Sequence, residues 1–95
     1  MIPQNLTAKT DHINHVTSNG KTERLSDEDF DKQLGYYKNA SYRLHVGDTG
    51  STVRYTMDFC DKDDKVLFTI TDLGNRDLIA VEINGSRIVY QKVSS

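Results

Sequence analysis

Two runs of alternating residues, Leu78–Ile83 and Ser86–Lys92, meet at Asn84-Gly85, and this junction limits the fold more than any other feature of the chain. Asn and Gly both tolerate the positive φ that a two-residue hairpin turn demands. A turn there pairs Ile83 with Ser86, Glu82 with Arg87, Val81 with Ile88 and Ile79 with Tyr90. That register gathers Ile79, Val81, Ile83, Ile88 and Tyr90 on one face and sets Glu82 against Arg87 on the other, a favourable cross-strand pair. A slip of one residue would turn the apolar set toward water, so turn and alternation select the same pairing.

Period-two alternation continues upstream. Val53, Tyr55, Met57 and Phe59 share one side of a strand, with Thr52, Arg54, Thr56 and Asp58 on the other. Asp61 to Asp64 turns the chain, and Val66, Phe68 and Ile70 are expected to extend the same apolar face. Residues 73–77 form a further turn. Before these strands, Tyr42, Leu44 and Val46 alternate with Ser41, Arg43 and His45, followed by a polar turn over 47–51.

The period changes at Ser26. Ser26 is suited to cap a helix, and Asp27, Glu28 and Asp29 then occupy the first turn, where acids oppose the positive helix end. Leu25 and Phe30 have the spacing of a hydrophobic staple. Phe30, Leu34 and Tyr37 recur at i, i+4, i+7, which predicts a helix over 27–39 with Gly35 inside it. His12–Thr17 and Lys21–Leu25 suggest a short hairpin about Ser18-Asn19-Gly20. Residues 1–11 show no periodicity and read as a flexible N-terminal arm.

An apolar sheet face and an amphipathic helix need each other's cover. The fold class expected is α+β: one helix packed on one face of a curved antiparallel meander of about five to seven strands. Residues 12–95 form that single domain. Twelve basic and fourteen acidic residues give a net charge of −2, with the basic residues scattered, so no nucleic acid is expected as a partner. No apolar run approaches membrane-spanning length, which predicts a soluble domain without a membrane span. Cys60 is the only cysteine, so no intramolecular disulfide can form.

Several motifs bear on chemistry. Asp61, Asp63 and Asp72 fall at positions 1, 3 and 12 of a calcium loop, but Lys65 and Val66 stand where an oxygen ligand and a glycine belong, so a hairpin tip is expected. His12 and His15 are three apart, not the two that bring ligands to one strand face, and no metal site is expected. Cys60 lacks a neighbouring base, and no cofactor motif is present. Asn5, Asn39 and Asn84 each begin an Asn-x-Ser/Thr triplet, relevant only in a glycosylating host.

Asp48-Thr49-Gly50-Ser51 resembles the catalytic tetrapeptide of aspartic proteases. That resemblance implies a homodimer in which Asp48 shares a proton with its counterpart. Gly47 stands where the family carries an apolar residue, and the same residues compose an ordinary polar turn, the reading preferred here. A broader resemblance covers residues 12–92: the acidic-capped helix from Leu25 to Phe30, the aromatic-rich strand, the turn from Cys60 to Leu67, and the ending Ile83-Asn84-Gly85 with Val89-Tyr90. This order is similar to small extracytoplasmic α+β domains of Gram-positive lipoproteins and secreted proteins, which usually have Gly where Asp64 stands. It implies a non-catalytic module.

The expected function is a non-enzymatic interaction module that binds a protein or a cell-envelope component through the polar sheet face, with Arg43, Arg54, Asp58, Glu82 and Arg87 as candidate binding residues. The alternatives are a homodimeric aspartic peptidase using Asp48, and a small phage or bacterial inhibitor protein. Met1 to Asn5 lacks a signal-peptide pattern, and a mature extracytoplasmic region is favoured over a cytoplasmic chain.

Overall fold

The computed structural model describes residues 2–17, 19–47, 55–75 and 77–93. In chain order its elements are α1 (Gln4–Lys9), β1 (His12–Thr17), β2 (Thr22–Arg24), α2 (Asp27–Asn39), β3 (Tyr42–Leu44), β4 (Tyr55–Cys60), β5 (Val66–Asn75), β6 (Leu78–Ile83) and β7 (Ser86–Lys92). Seven strands make one antiparallel sheet in the order β2-β1-β4-β5-β6-β7-β3. It is an α+β fold with α2 on one face of a curved sheet. No helix is long and apolar enough to cross a membrane.

The C-terminal hairpin has the register its turn chemistry dictates, with Ile79 opposite Tyr90, Val81 opposite Ile88, Glu82 opposite Arg87 and Ile83 opposite Ser86. Asn84 and Gly85 adopt φ of 52° and 83°. The helix also forms where its signals lie. Ser26 Oγ accepts the Asp29 N–H at 3.2 Å, and Phe30, Leu34 and Tyr37 all reach the core.

That core lies between α2 and the sheet: Ile13, Tyr37, Met57, Phe59, Phe68, Ile70, Ile79 and Val81 are buried together. Phe59 and Phe68 face each other across β4 and β5, with rings stacked at 4.4 Å. The Tyr37 ring meets Phe59 edge-on from the helix at 6.3 Å.

Gly35 sits inside α2, and an added Cβ would meet nothing within 4 Å. Alanine there removes backbone freedom from the unfolded chain without a clash. Gly35→Ala is therefore expected to stabilise the protein by about 0.5–1 kcal/mol, a rise in melting temperature of about 2–8 °C for a domain of this size. Thermal melts followed by circular dichroism check it.

Four local expectations need correction. Residues 1–11 are not arm throughout: Gln4–Lys9 is helical, and Ile2 and Leu6 pack against the core. Val66 does not continue the apolar face. Phe59 pairs with Phe68 but Cys60 pairs with Val66, so Leu67 is an extra residue, a bulge that turns Val66 to the opposite face. Residues 73–77 are not all turn, because β5 runs through Asn75 with a second register shift after Asp72.

Last, Leu44, Val46 and Ile88 were expected beneath the helix, yet they are 63%, 86% and 41% exposed. The strand β3 is an edge strand beyond β7, and of its apolar residues Tyr42 packs against the core while Leu44 does not.

Candidate functional site

The strand registers build a row across the outer face, the one turned away from α2. Arg24 lies opposite Asn14, Asn14 opposite Asp58, Asp58 opposite Thr69, Thr69 opposite Glu82, and Glu82 opposite Arg87. Directly opposed residues point to the same side of a sheet. Six side chains from six adjacent strands thus form a band about 24 Å long, at about 4.8 Å per step. Arginine stands at each end and the two acids lie inside.

The contacts within the band hold its polar groups in place. Thr69 Oγ1 donates to Asp58 Oδ1 at 2.9 Å. Arg87 Nε lies 3.9 Å from Glu82 Oε1, a half-exposed pair of small energetic value. Arg24 Nη2 lies 3.8 Å from Asp11 Oδ2. The band leaves Glu82, Arg87 and Arg24 exposed and Asn14, Asp58 and Thr69 half-buried.

Of the five candidate residues, the structure brings Asp58, Glu82 and Arg87 into this one row. Arg43 shares the face but lies opposite Gln91, four residues along β7 from Arg87, roughly 13 Å away. Arg54 lies outside the described residues, as does Asp48 of the protease-like tetrapeptide. Arg24 and Asn14 were missed, since their membership depends on β1 pairing with β4, which no local pattern announces.

At one end of the outer face His12 is buried between two carboxylates. Its Nδ1 lies 2.9 Å from Asp11 Oδ2 and its Nε2 lies 2.8 Å from Asp64 Oδ1. Asp64 stands at φ +64°, the left-handed conformation for which glycine is best suited. Asp61 Oδ1 accepts the N–H groups of Asp63 and Lys65 at 2.9 and 3.0 Å, so the acidic run is a self-bonded hairpin tip. Among the described residues no group of three or more His, Cys, Asp or Glu is placed to hold a metal ion.

Cys60 lies opposite His12 and is buried. Burial, then the charges of Asp58, Asp64 and Asp61, push its thiol above the ordinary range. A thiol so placed stays protonated at neutral pH, the opposite of what a nucleophile needs.

On the other side of the sheet, a cleft between α2 and the β1–β4 seam is lined by His15, Leu25, Asp29, Gln33, Tyr55 and Met57. Fold and surfaces together define a small α+β domain with both helices on one face of its sheet and a banded polar face on the other. No family model matches the chain, and no curated protein or solved structure matches it either.

Proposed function

We propose that the protein is a non-enzymatic interaction domain that binds another protein through the outer face of its sheet. The observation that carries this reading is the in-register band from Arg24 to Arg87. Its four charges cancel, which gives a polyanion little to hold. Thr69 and Glu82 line a cleft of about 250 Å³, but the band as a whole is spread over six strands of a sheet face, which suits a macromolecular surface better than a small molecule. Every described Tyr and Phe lies on α2 or on the helix side of the sheet, so the band offers no ring for a glycan to stack on. A partner with acids set to meet the terminal arginines and a basic centre fits the pattern. An inhibitor protein is one form of this reading, and an extracytoplasmic setting follows from the resemblance drawn over residues 12–92.

A charge swap separates binding from folding. Glu82→Arg combined with Arg87→Glu keeps the cross-strand pair but inverts the pattern shown to a partner. The tagged double variant is expected to melt within about 2 °C of the wild type. It should bind a protein captured from the source organism by the wild-type chain at least about tenfold more weakly in calorimetry. Equal affinity of the two chains, or no capture above an unrelated control of similar size and charge, would sink the proposal.

A further inference from the structure

We propose that Asn19 is a site of self-modification, where Gly20 closes a succinimide ring on the Asn19 side chain and ammonia is lost. The chain carries two Asn-Gly pairs, Asn19-Gly20 and Asn84-Gly85. Asparagine is a labile side chain in proteins. A following glycine, having no Cβ, leaves its backbone nitrogen room to approach. The two pairs sit in different surroundings, and those surroundings single out Asn19.

Asn19 and Gly20 are both exposed, in the turn between β1 and β2. Asn19 Oδ1 accepts from the Thr17 hydroxyl and from the Lys21 N–H at 3.3 Å. Two donors on one side-chain carbonyl draw electrons from Cγ, the atom to be attacked. They also face the oxygen on which negative charge develops in the tetrahedral intermediate, as oxyanion-hole donors do. A Cβ built on Gly20 would meet nothing within 4 Å, so the space at Gly20 is open.

The Gly20 N–H donates to the Thr17 carbonyl at 2.9 Å, so ring closure requires the turn to open first. The hairpin permits this. Strand β2 has three residues, all exposed, and it lies at the edge of the sheet. Such segments open locally at small free-energy cost. Asn84-Gly85 instead joins strands of six and seven residues. These are paired from Ile83 and Ser86 back to Leu78 and Gln91, and both lie inside the sheet.

In the reaction the Gly20 nitrogen, its proton taken by hydroxide, bonds to Asn19 Cγ. The Cγ–Nδ2 bond breaks, and Nδ2 leaves as ammonia with a proton from water. Water then opens the ring. Attack at Cγ yields aspartate, and attack at the main-chain carbonyl yields isoaspartate. Either product places a new carboxylate at position 19. Isoaspartate also routes the main chain through the side chain, one methylene longer. The turn then no longer fits the pairing of Val16 with Thr22 and of Asn14 with Arg24. The modification reaches the Arg24 end of the outer-face band but does not depend on that band binding a partner.

The test is incubation of the full chain at mildly alkaline pH, followed by peptide mapping with mass spectrometry that resolves isoaspartate. In the native chain Asn19 is expected to convert at least about fivefold faster than Asn84. In concentrated urea both pairs lie in open chain, and their rates should agree within about twofold. Thr17→Val keeps the branched shape and removes the hydroxyl donor. It should slow conversion of Asn19 by about threefold or more and leave Asn84 unchanged. Circular dichroism checks that the variant folds, and the comparison of the two sites in the wild type decides the matter without it. Asn84 converting as fast as Asn19 in the native chain, conversion of Asn19 in urea alone, or folded Thr17→Val reacting like the wild type overturns the inference.

Discussion

Phe59→Ala is expected to lower the melting temperature by at least about 12 °C and to leave the protein close to unfolding under mild denaturant. Phe59 is fully buried. It stacks on Phe68 at 4.4 Å and takes the edge of Tyr37 at 6.3 Å, so one ring joins β4, β5 and α2. Truncating a buried phenylalanine costs about 3–5 kcal/mol from lost transfer and the cavity left behind. A domain of this length is stable by only about 5–15 kcal/mol. Phe59→Leu keeps much of the volume and should cost far less. Thermal melts of the two variants check this, and a fall below about 5 °C for Phe59→Ala would mean that the stack does not organise the core.

His12→Ala is expected to cost about 2 kcal/mol and to speed native-state labelling of Cys60 by a thiol reagent at least about tenfold. The ring fills the space between Asp11 and Asp64 and lies opposite Cys60. Removing it leaves the Asp11 and Asp64 carboxylates without the ring they share. The cost is set below that of a fully buried pair because the Asp64 side chain is 82% exposed and screened by water. Variants at Asp64 separate charge from backbone strain. Asp64→Ala loses the carboxylate and keeps an unfavourable φ, so it should be the least stable. Asp64→Gly loses the carboxylate but relaxes the backbone, so the two effects should nearly cancel. Asp64→Asn keeps both an acceptor and tolerance of the left-handed region and should stay closest to the wild type. Melts that rank alanine above glycine would contradict this account of the turn.

The parts of the fold legible in the sequence are those whose determinants are neighbours along the chain. Ser26 and the acids after it mark the start of α2, and Asn84-Gly85 sets the register of β6 and β7. The helix α1 carries no such mark: its N-cap, Pro3, makes no side-chain cap bond. Ile2 and Leu6 gain cover only by contact with a core assembled elsewhere. The bulge at Leu67 follows an alternation that looks unbroken on paper, so Val66 reads as core until the pairing shows otherwise. Leu44 has an apolar pattern suited to burial, but its place at the sheet edge depends on where β3 docks. Among the candidate residues, Glu82 and Arg87 were legible because one hairpin joins them. Arg24, Asn14 and the cleft around His15 depend on β1 docking beside β4, a contact between distant segments that leaves no local trace.

That docking also bears on how the chain assembles. Strands β4 to β7 follow one another through short turns, so each seam among them closes a small loop at little entropic cost. The β1–β4 seam instead joins His12 to Cys60, and α2 and β3 lie in the chain between them. It becomes worthwhile only once the C-terminal meander offers Phe59 and Met57 as a surface to land on. The β3–β7 seam, with Tyr42 opposite Lys92, closes a loop of similar length, and the β1–β4 seam completes the outer-face band by adding Arg24 and Asn14, two of its six side chains.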